Sequence, residues 1–236
     1  MVARNLSLTS RRENTREPNP RPMPVHFTVP EIKERFVQGI EESRRQISIA
    51  SELGRTGKIE AEKSLLRAQI TAAEGLLDFY IHEMSKYCLY EMFRGGWQKS
   101  QKYDNLRIPL HKVEVAIEVI DSQEWFFEHI NDEFSSLCFL GSEPMRNQLN
   151  LIGIPYENVI ELAFPDDPKE ERKHYVDRLF ARRNLIVHQN DRDHETATQQ
   201  DIEKDYVSRY VDKIESLGLA IYQIAAEKNP GQQVAN

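Results

Sequence analysis

Apolar residues recur at intervals of three and four along nearly the whole chain, the spacing that lines one face of an α-helix. The longest such run, Lys58 to Phe93, carries Leu66, Ile70, Ala73, Leu77, Ile81, Met84 and Cys88 on one stripe and stops at Gly95-Gly96. Ahead of it, Pro30 stands where a first helical turn tolerates proline. It opens a predicted helix from Glu31 to Ala50, which Gly54-Arg55-Thr56-Gly57 breaks. Val113 to Leu140 reads as two helical pieces hinged at Asp121-Ser122, the second anchored by Trp125, Phe126, Ile130, Phe134 and Leu137. A further helical stretch, Glu143 to Phe164, is interrupted at Gly153-Ile154-Pro155, and Pro165-Asp166-Asp167-Pro168 is a turn. An amphipathic segment, Glu171 to Gln189, follows. Thr198-Gln199-Gln200-Asp201 has the form of a capping box for a last helix with Ile202, Val207, Val211, Ile214, Leu217, Ile221 and Ile224 on its core face. No segment alternates with the period of two that a half-buried strand requires. The pattern predicts an all-α bundle of about five main helices plus short ones, with one domain over 31–228 and a short tail over 229–236.

Composition refines this picture at the ends. Residues 1–30 carry Arg4, Arg11, Arg12, Arg16 and Arg21 against Glu13 and Glu17, then Pro18, Pro20, Pro22, Pro24 and Pro30. Such a stretch buries too little apolar surface to order itself, so a flexible arm is expected there. Its arginines suit an RNA or an acidic partner surface. The whole chain has a formal net charge of −7, which argues against a protein that coats nucleic acid by bulk electrostatics and leaves room for a local basic pocket. No apolar run approaches 18 residues, and Met1-Val2-Ala3-Arg4-Asn5 lacks the apolar region of a secretory signal, so a cytoplasmic protein without membrane association is expected. Cys88 and Cys138 lie in apolar surroundings and read as reduced core cysteines.

Chemistry concentrates in Arg183-Asn184-Leu185-Ile186-Val187-His188. At 100° per residue, Leu179, Phe180, Arg183, Ile186 and Val187 form one stripe with Arg183 near its middle, and Asn184 and His188 lie one turn apart on its flank. A guanidinium on an apolar stripe needs a carboxylate, a carbonyl or an anionic ligand, because an unpaired buried charge is expensive. Imidazole supplies proton transfer near neutral pH and arginine binds phosphate through its fork of donors. On the flank of the long early helix, Glu74, Asp78 and His82 follow one another at intervals of four, with Glu74 nearest the apolar face. They read either as a solvated edge or as support for the site, with Glu74 pairing Arg183 or steadying His188. The seven histidines show no His-Glu-x-x-His spacing, the cysteines are far apart, and the glycines lack the context of a phosphate loop. Neither a metal nor another cofactor is expected.

The same residues carry a resemblance. Arg183, polar Asn184, three variable residues and His188 resemble the signature motif of the HEPN superfamily of helical domains. Leu76-Leu77-Asp78-Phe79-Tyr80-Ile81-His82-Glu83, preceded by Glu74, is similar to an early helix of HEPN groups found in prokaryotic toxin and defence systems, including the RiboL-PSP and MAE-type branches. The resemblance runs from about Glu31 to Lys228. It implies an all-helical fold, a homodimer that joins two motifs across one cleft, and metal-independent cleavage of RNA to a cyclic phosphate, with Arg183, Asn184 and His188 in the catalytic set. It also implies an antitoxin or defence-system partner. The alternative is a catalytically silent dimeric binding or regulatory module in which the motif braces the interface.

Overall fold

A computed structural model describes residues 25–119 and 122–228 of the chain, apart from the side chain of Lys173. Eight α-helices account for most of these residues: α1 Val29–Arg55, α2 Ile59–Arg94, α3 Leu110–Glu118, α4 Glu124–Phe134, α5 Ser142–Leu151, α6 Tyr156–Ala163, α7 Lys169–Gln189 and α8 Lys204–Lys228. A single 3₁₀ turn, Tyr103–Asn105, lies between α2 and α3. Among the described residues there are no strands, only an isolated bridge between Arg192 and Gln199. The arm over 1–24, the tail over 229–236 and Asp121 of the hinge lie outside the described residues.

The amphipathic faces explain the assembly. α1 and α2 form a hairpin turned at Gly57, whose φ of 82° belongs to the left-handed region that a residue without Cβ enters freely. The α1 entry is fixed by a capping box: the Thr28 N–H and hydroxyl both donate to Glu31 at 2.8 Å. α8 packs against both arms of the hairpin. There Phe36 of α1 presses on the backbone of α8 at Gly218, where any Cβ would collide with the ring. Ile40, Ile70, Ile81, Met84, Val211, Ile214 and Ile221 are fully enclosed. α7 then lies on α2, and short α5 and α6 close its other side.

Several boundaries differ from those expected. α1 continues beyond Ala50 to Arg55, since a lone glycine at 54 costs a helix only about 1 kcal/mol while α2 continues to cover that turn. The last helix begins at Lys204 rather than at the Thr198 box. Its would-be cap is used elsewhere: the Thr198 carbonyl accepts from the Asp193 N–H, the Gln200 N–H donates to Asp191, and Asp201 pairs with Lys63 at 2.7 Å. Leu137 is exposed rather than an anchor, and Cys138 beside it is exposed rather than core. Phe139 and Leu140 are the connector residues that turn inward. Both cysteines are free. Among the described residues, no helix is long and apolar enough to cross a membrane.

Candidate functional site

α2 and α7 run antiparallel, as their cross-contacts show: Arg67 meets the end of α7, while Glu74 lies beside its middle. Along this seam two neighbouring arginines have different surroundings. Arg182 is fully engaged. It forms a two-pronged ion pair with Asp191 and donates to the Gln200 side chain. Asp191 is completely buried and also receives Arg67 Nε at 2.6 Å, while Arg67 reaches the Gln200 carbonyl at 2.6 Å. One carboxylate thus neutralises two guanidinium groups through charge-assisted bonds, the strong class of hydrogen bond.

That placement demands an unusual backbone. Asn190 and Asp191, just past α7, both adopt left-handed conformations with φ of 51° and 59°, which asparagine and aspartate tolerate better than other side chains. The turn lets the Asp191 N–H donate to the Leu185 carbonyl and swings the carboxylate back under the helix. His188 is therefore held in the last turn of α7 by a loop bolted to α2, and its ring is exposed.

Arg183, one residue on, is half-buried and lacks such a partner. Its guanidinium donates to the Asn184 Oδ1 at 3.0 Å, and its buried Nε has no acceptor among the described residues. The expected direct pair with Glu74 is not formed within the 4.0 Å of an ion pair. Glu74 is buried. It hydrogen-bonds the Tyr210 hydroxyl at 2.6 Å, and that hydroxyl also lies 2.8 Å from the Leu179 carbonyl. Burial pushes the Glu74 carboxyl up to about 7, against the opposing pull of the Tyr210 bond and the Arg183 charge. In its protonated form Glu74 can donate to the Tyr210 oxygen, freeing the phenol proton for the Leu179 carbonyl, so both contacts are satisfied at once. Burial likewise raises the Tyr210 phenol, which stays neutral. Glu74 thus senses Arg183 through space while bonded to α8.

Asp78 and His82 hold a different part of the molecule. The Asp78 carboxylate accepts the Phe139 N–H at 2.8 Å, His82 Nε2 lies 3.2 Å from the Leu137 carbonyl, and the His82 ring tilts against Phe139. Both brace the connector between α4 and α5. The apolar stripe of α7 is also divided: Val176 and Leu179 are core, whereas Val187, one turn beyond Arg183, is 44% exposed. The stripe ends in the open at Val187.

Arg67, Arg182, Asp191, Gln200 and Tyr210 escape a reading by periodicity. Arg182 looks like a solvent residue, and only the Asn190-Asp191 pair, suited to left-handed backbone after a helix, signals that the chain turns back there.

The bundle presents Arg183, Asn184 and His188 over the last two turns of its penultimate helix. Residues 39–227, most of the chain, match the model of the RiboL-PSP-HEPN family, and the chain belongs to that family. Membership suggests a nuclease or another RNA-related function. Neither the curated proteins nor the solved structures contain a match to this chain.

Proposed function

We propose that the protein is an endoribonuclease that cuts RNA without a divalent ion and acts as a homodimer in the cytoplasm, in a toxin–antitoxin or phage-defence setting. The observation that carries this reading is the state of Arg183: a half-buried cation, steadied by Asn184, with a buried donor left unsatisfied. An unmade bond from a buried charged group costs about 1–3 kcal/mol or more. An incoming phosphate meets not that enclosed Nε but the partly exposed amino end of the same guanidinium, whose fork fits two phosphate oxygens.

His188 then acts as the general base. It takes the proton of the ribose 2′-hydroxyl, a group present in RNA and absent from DNA. The 2′-oxygen bonds to the adjacent phosphorus, the bond from phosphorus to the 5′-oxygen breaks, and the leaving oxygen is protonated by the His188 of a second copy. The products are a 2′,3′-cyclic phosphate and a 5′-hydroxyl. Arg183 neutralises the charge that develops on the phosphorane.

The surface around the motif favours a second copy. Given antiparallel α2 and α7, helical geometry sets Ala68, Ala72, Gly75 and Phe79 of α2 on the same side as Asn184, Val187 and His188 of α7. Gly75 opens onto free space, and Phe79, Leu137 and Val187 are 51%, 48% and 44% exposed. A twofold axis through this face brings two motifs together.

The test is incubation of wild-type and His188→Ala protein with total cellular RNA in EDTA, followed by mapping of fragment ends. Cyclic or 3′-phosphate ends from the wild type alone are expected. Cleavage by both proteins, or only with added metal, overturns the mechanism; no cleavage by either, with dimerisation retained, favours the silent binding module.

A further inference from the structure

On the side of α7 turned toward α8, away from Asn184 and His188, a groove of about 210 Å³ is lined by Tyr175, Arg178, Leu179, Tyr206, Arg209, Tyr210 and Lys213. Its composition departs from that of the chain, whose net charge is −7: three cations and three tyrosines meet in one place. Two of the cations are only loosely held. Arg178 lies 4.0 Å from Glu171, both more than half exposed, a pair worth little in water, and its guanidinium sits over the Tyr175 ring at 4.4 Å with its donors left to solvent. Arg209 is exposed and has no hydrogen-bond or ion-pair partner among the described residues. Lys213 is anchored to Asp167 at 3.7 Å and sits over the Tyr175 ring at 3.6 Å, so it is part of the wall. Tyr206 differs from the other two rings. It is 39% exposed, with Arg182 beyond it at 5.8 Å, and it leaves aromatic surface open above a floor of Leu179 and Tyr210.

We propose that this groove is a second binding site, one that holds a single-stranded RNA segment by stacking a base on Tyr206 and seating its phosphates on Arg178 and Arg209. Open aromatic surface beside exposed guanidinium groups is the combination by which proteins hold unpaired strands without reading sequence. A duplex keeps its base faces stacked and offers none to Tyr206. The inference rests on RNA being the substrate, as proposed above, and extends it to how the strand is held. Arg178 precedes His188 by ten residues, about 15 Å along the helix axis. A strand seated in the groove thus reaches the end of α7 around its solvent side and presents a downstream phosphate to Arg183. Tyr210 gives the two places a common wall, since its ring lines the groove while its hydroxyl bonds Glu74 beneath Arg183.

The test is fluorescence anisotropy with a labelled 2′-O-methyl RNA 12-mer, which lacks the attacking hydroxyl and cannot be cut by the proposed route. Tyr206→Ala should weaken binding about fivefold or more, the loss expected of one stacked base, while Tyr206→Phe keeps wild-type affinity. Arg178→Ala/Arg209→Ala should weaken it further and lower the salt dependence by about 0.7 in log–log slope per lost phosphate contact. Both arginines are exposed, so this variant folds even if Tyr206→Ala does not, and thermal melting checks each. Equal affinity of wild type and the folded variants overturns the proposal, as does a preference for duplex or for phosphatidylserine vesicles over the 12-mer. Wild-type protein that binds through the groove but cuts no RNA leaves this site standing and removes the nuclease reading. Cleavage with groove-independent binding does the reverse.

Discussion

Arg182 and Arg183 are consecutive in α7, yet one is among the best-satisfied cations of the molecule and the other among the least. Arg182 shares Asp191 with Arg67 and adds Gln200; Arg183 has one neutral amide acceptor and an unsatisfied Nε. A step of 100° around the helix separates a residue that holds the fold from one left without a counter-charge within ion-pair distance among the described residues. Under the proposed function, stability and reactivity are divided between adjacent positions, and the first supplies the rigidity that the second requires.

The sharpest way to break this comparison is to remove the shared carboxylate. Asp191→Ala leaves Arg67 and Arg182 as buried cations without a counter-charge, so a loss of about 3–5 kcal/mol is expected from urea unfolding, together with release of the 190–200 loop. Next in size is the exchange of roles between the arginines. Arg182→Ala should cost about 2–3 kcal/mol of stability, in the range of a broken buried network, whereas Arg183→Ala should unfold within about 1 kcal/mol of wild type and lose cleavage of RNA. Circular dichroism and oligomer size accompany both assays. If Arg182→Ala proves harmless to folding while Arg183→Ala collapses it, the assignment of the two residues is reversed.

Glu74 sharpens the comparison through pH. Its ordinary value is 4.5 and its folded value is about 7, so the folded state holds the proton more tightly than the unfolded chain. Stability from this group is therefore fully present below about 4.5 and is lost as pH rises to about 7. The total is of order 3 kcal/mol at 1.36 kcal/mol per unit. The groups that bear on it are Arg183 from α7, Tyr210 from α8 and Asp78 on its own helix. Glu74→Gln, which keeps the bond to Tyr210, should remove that part of the slope between pH 5 and 7 in chemical unfolding. An unchanged slope refutes the role given to its proton. The smallest effect belongs to Asp78→Ala and His82→Ala. Each should cost about 1 kcal/mol, the worth of a single hydrogen bond, and leave cleavage within a few-fold of wild type. A hundredfold loss of activity in a folded His82→Ala protein would move His82 into the site.

Periodicity makes the helices legible, because burial of a 3.6-residue stripe is a local and repetitive signal. Arg183, Asn184 and His188 could be singled out for the complementary reason: a cation stands where the stripe asks for an apolar residue. Pairing is what stays hidden. Nothing local marks Arg67 as the partner of Asp191 across 124 positions, or Tyr210 as the partner of Glu74 across 136. The Thr198 box misleads for a related reason. Its polar groups match a helix start, and only the tertiary demand of Asp191 on Gln200 shows why the helix waits until Lys204.

Those separations bear on the order in which the molecule is made. Chain closure over more than a hundred residues is entropically slow, and contacts between distant parts of a sequence form late. The α1–α2 hairpin can form while the rest is still being synthesised, but Arg67 has no counter-charge until Asp191 emerges, and Glu74 has no phenol to bond until Tyr210 follows. The end of α7 is thus fastened only once Asp191 and Gln200 have been made, well after the hairpin, so that His188 gains its final setting later than the helices it stands on.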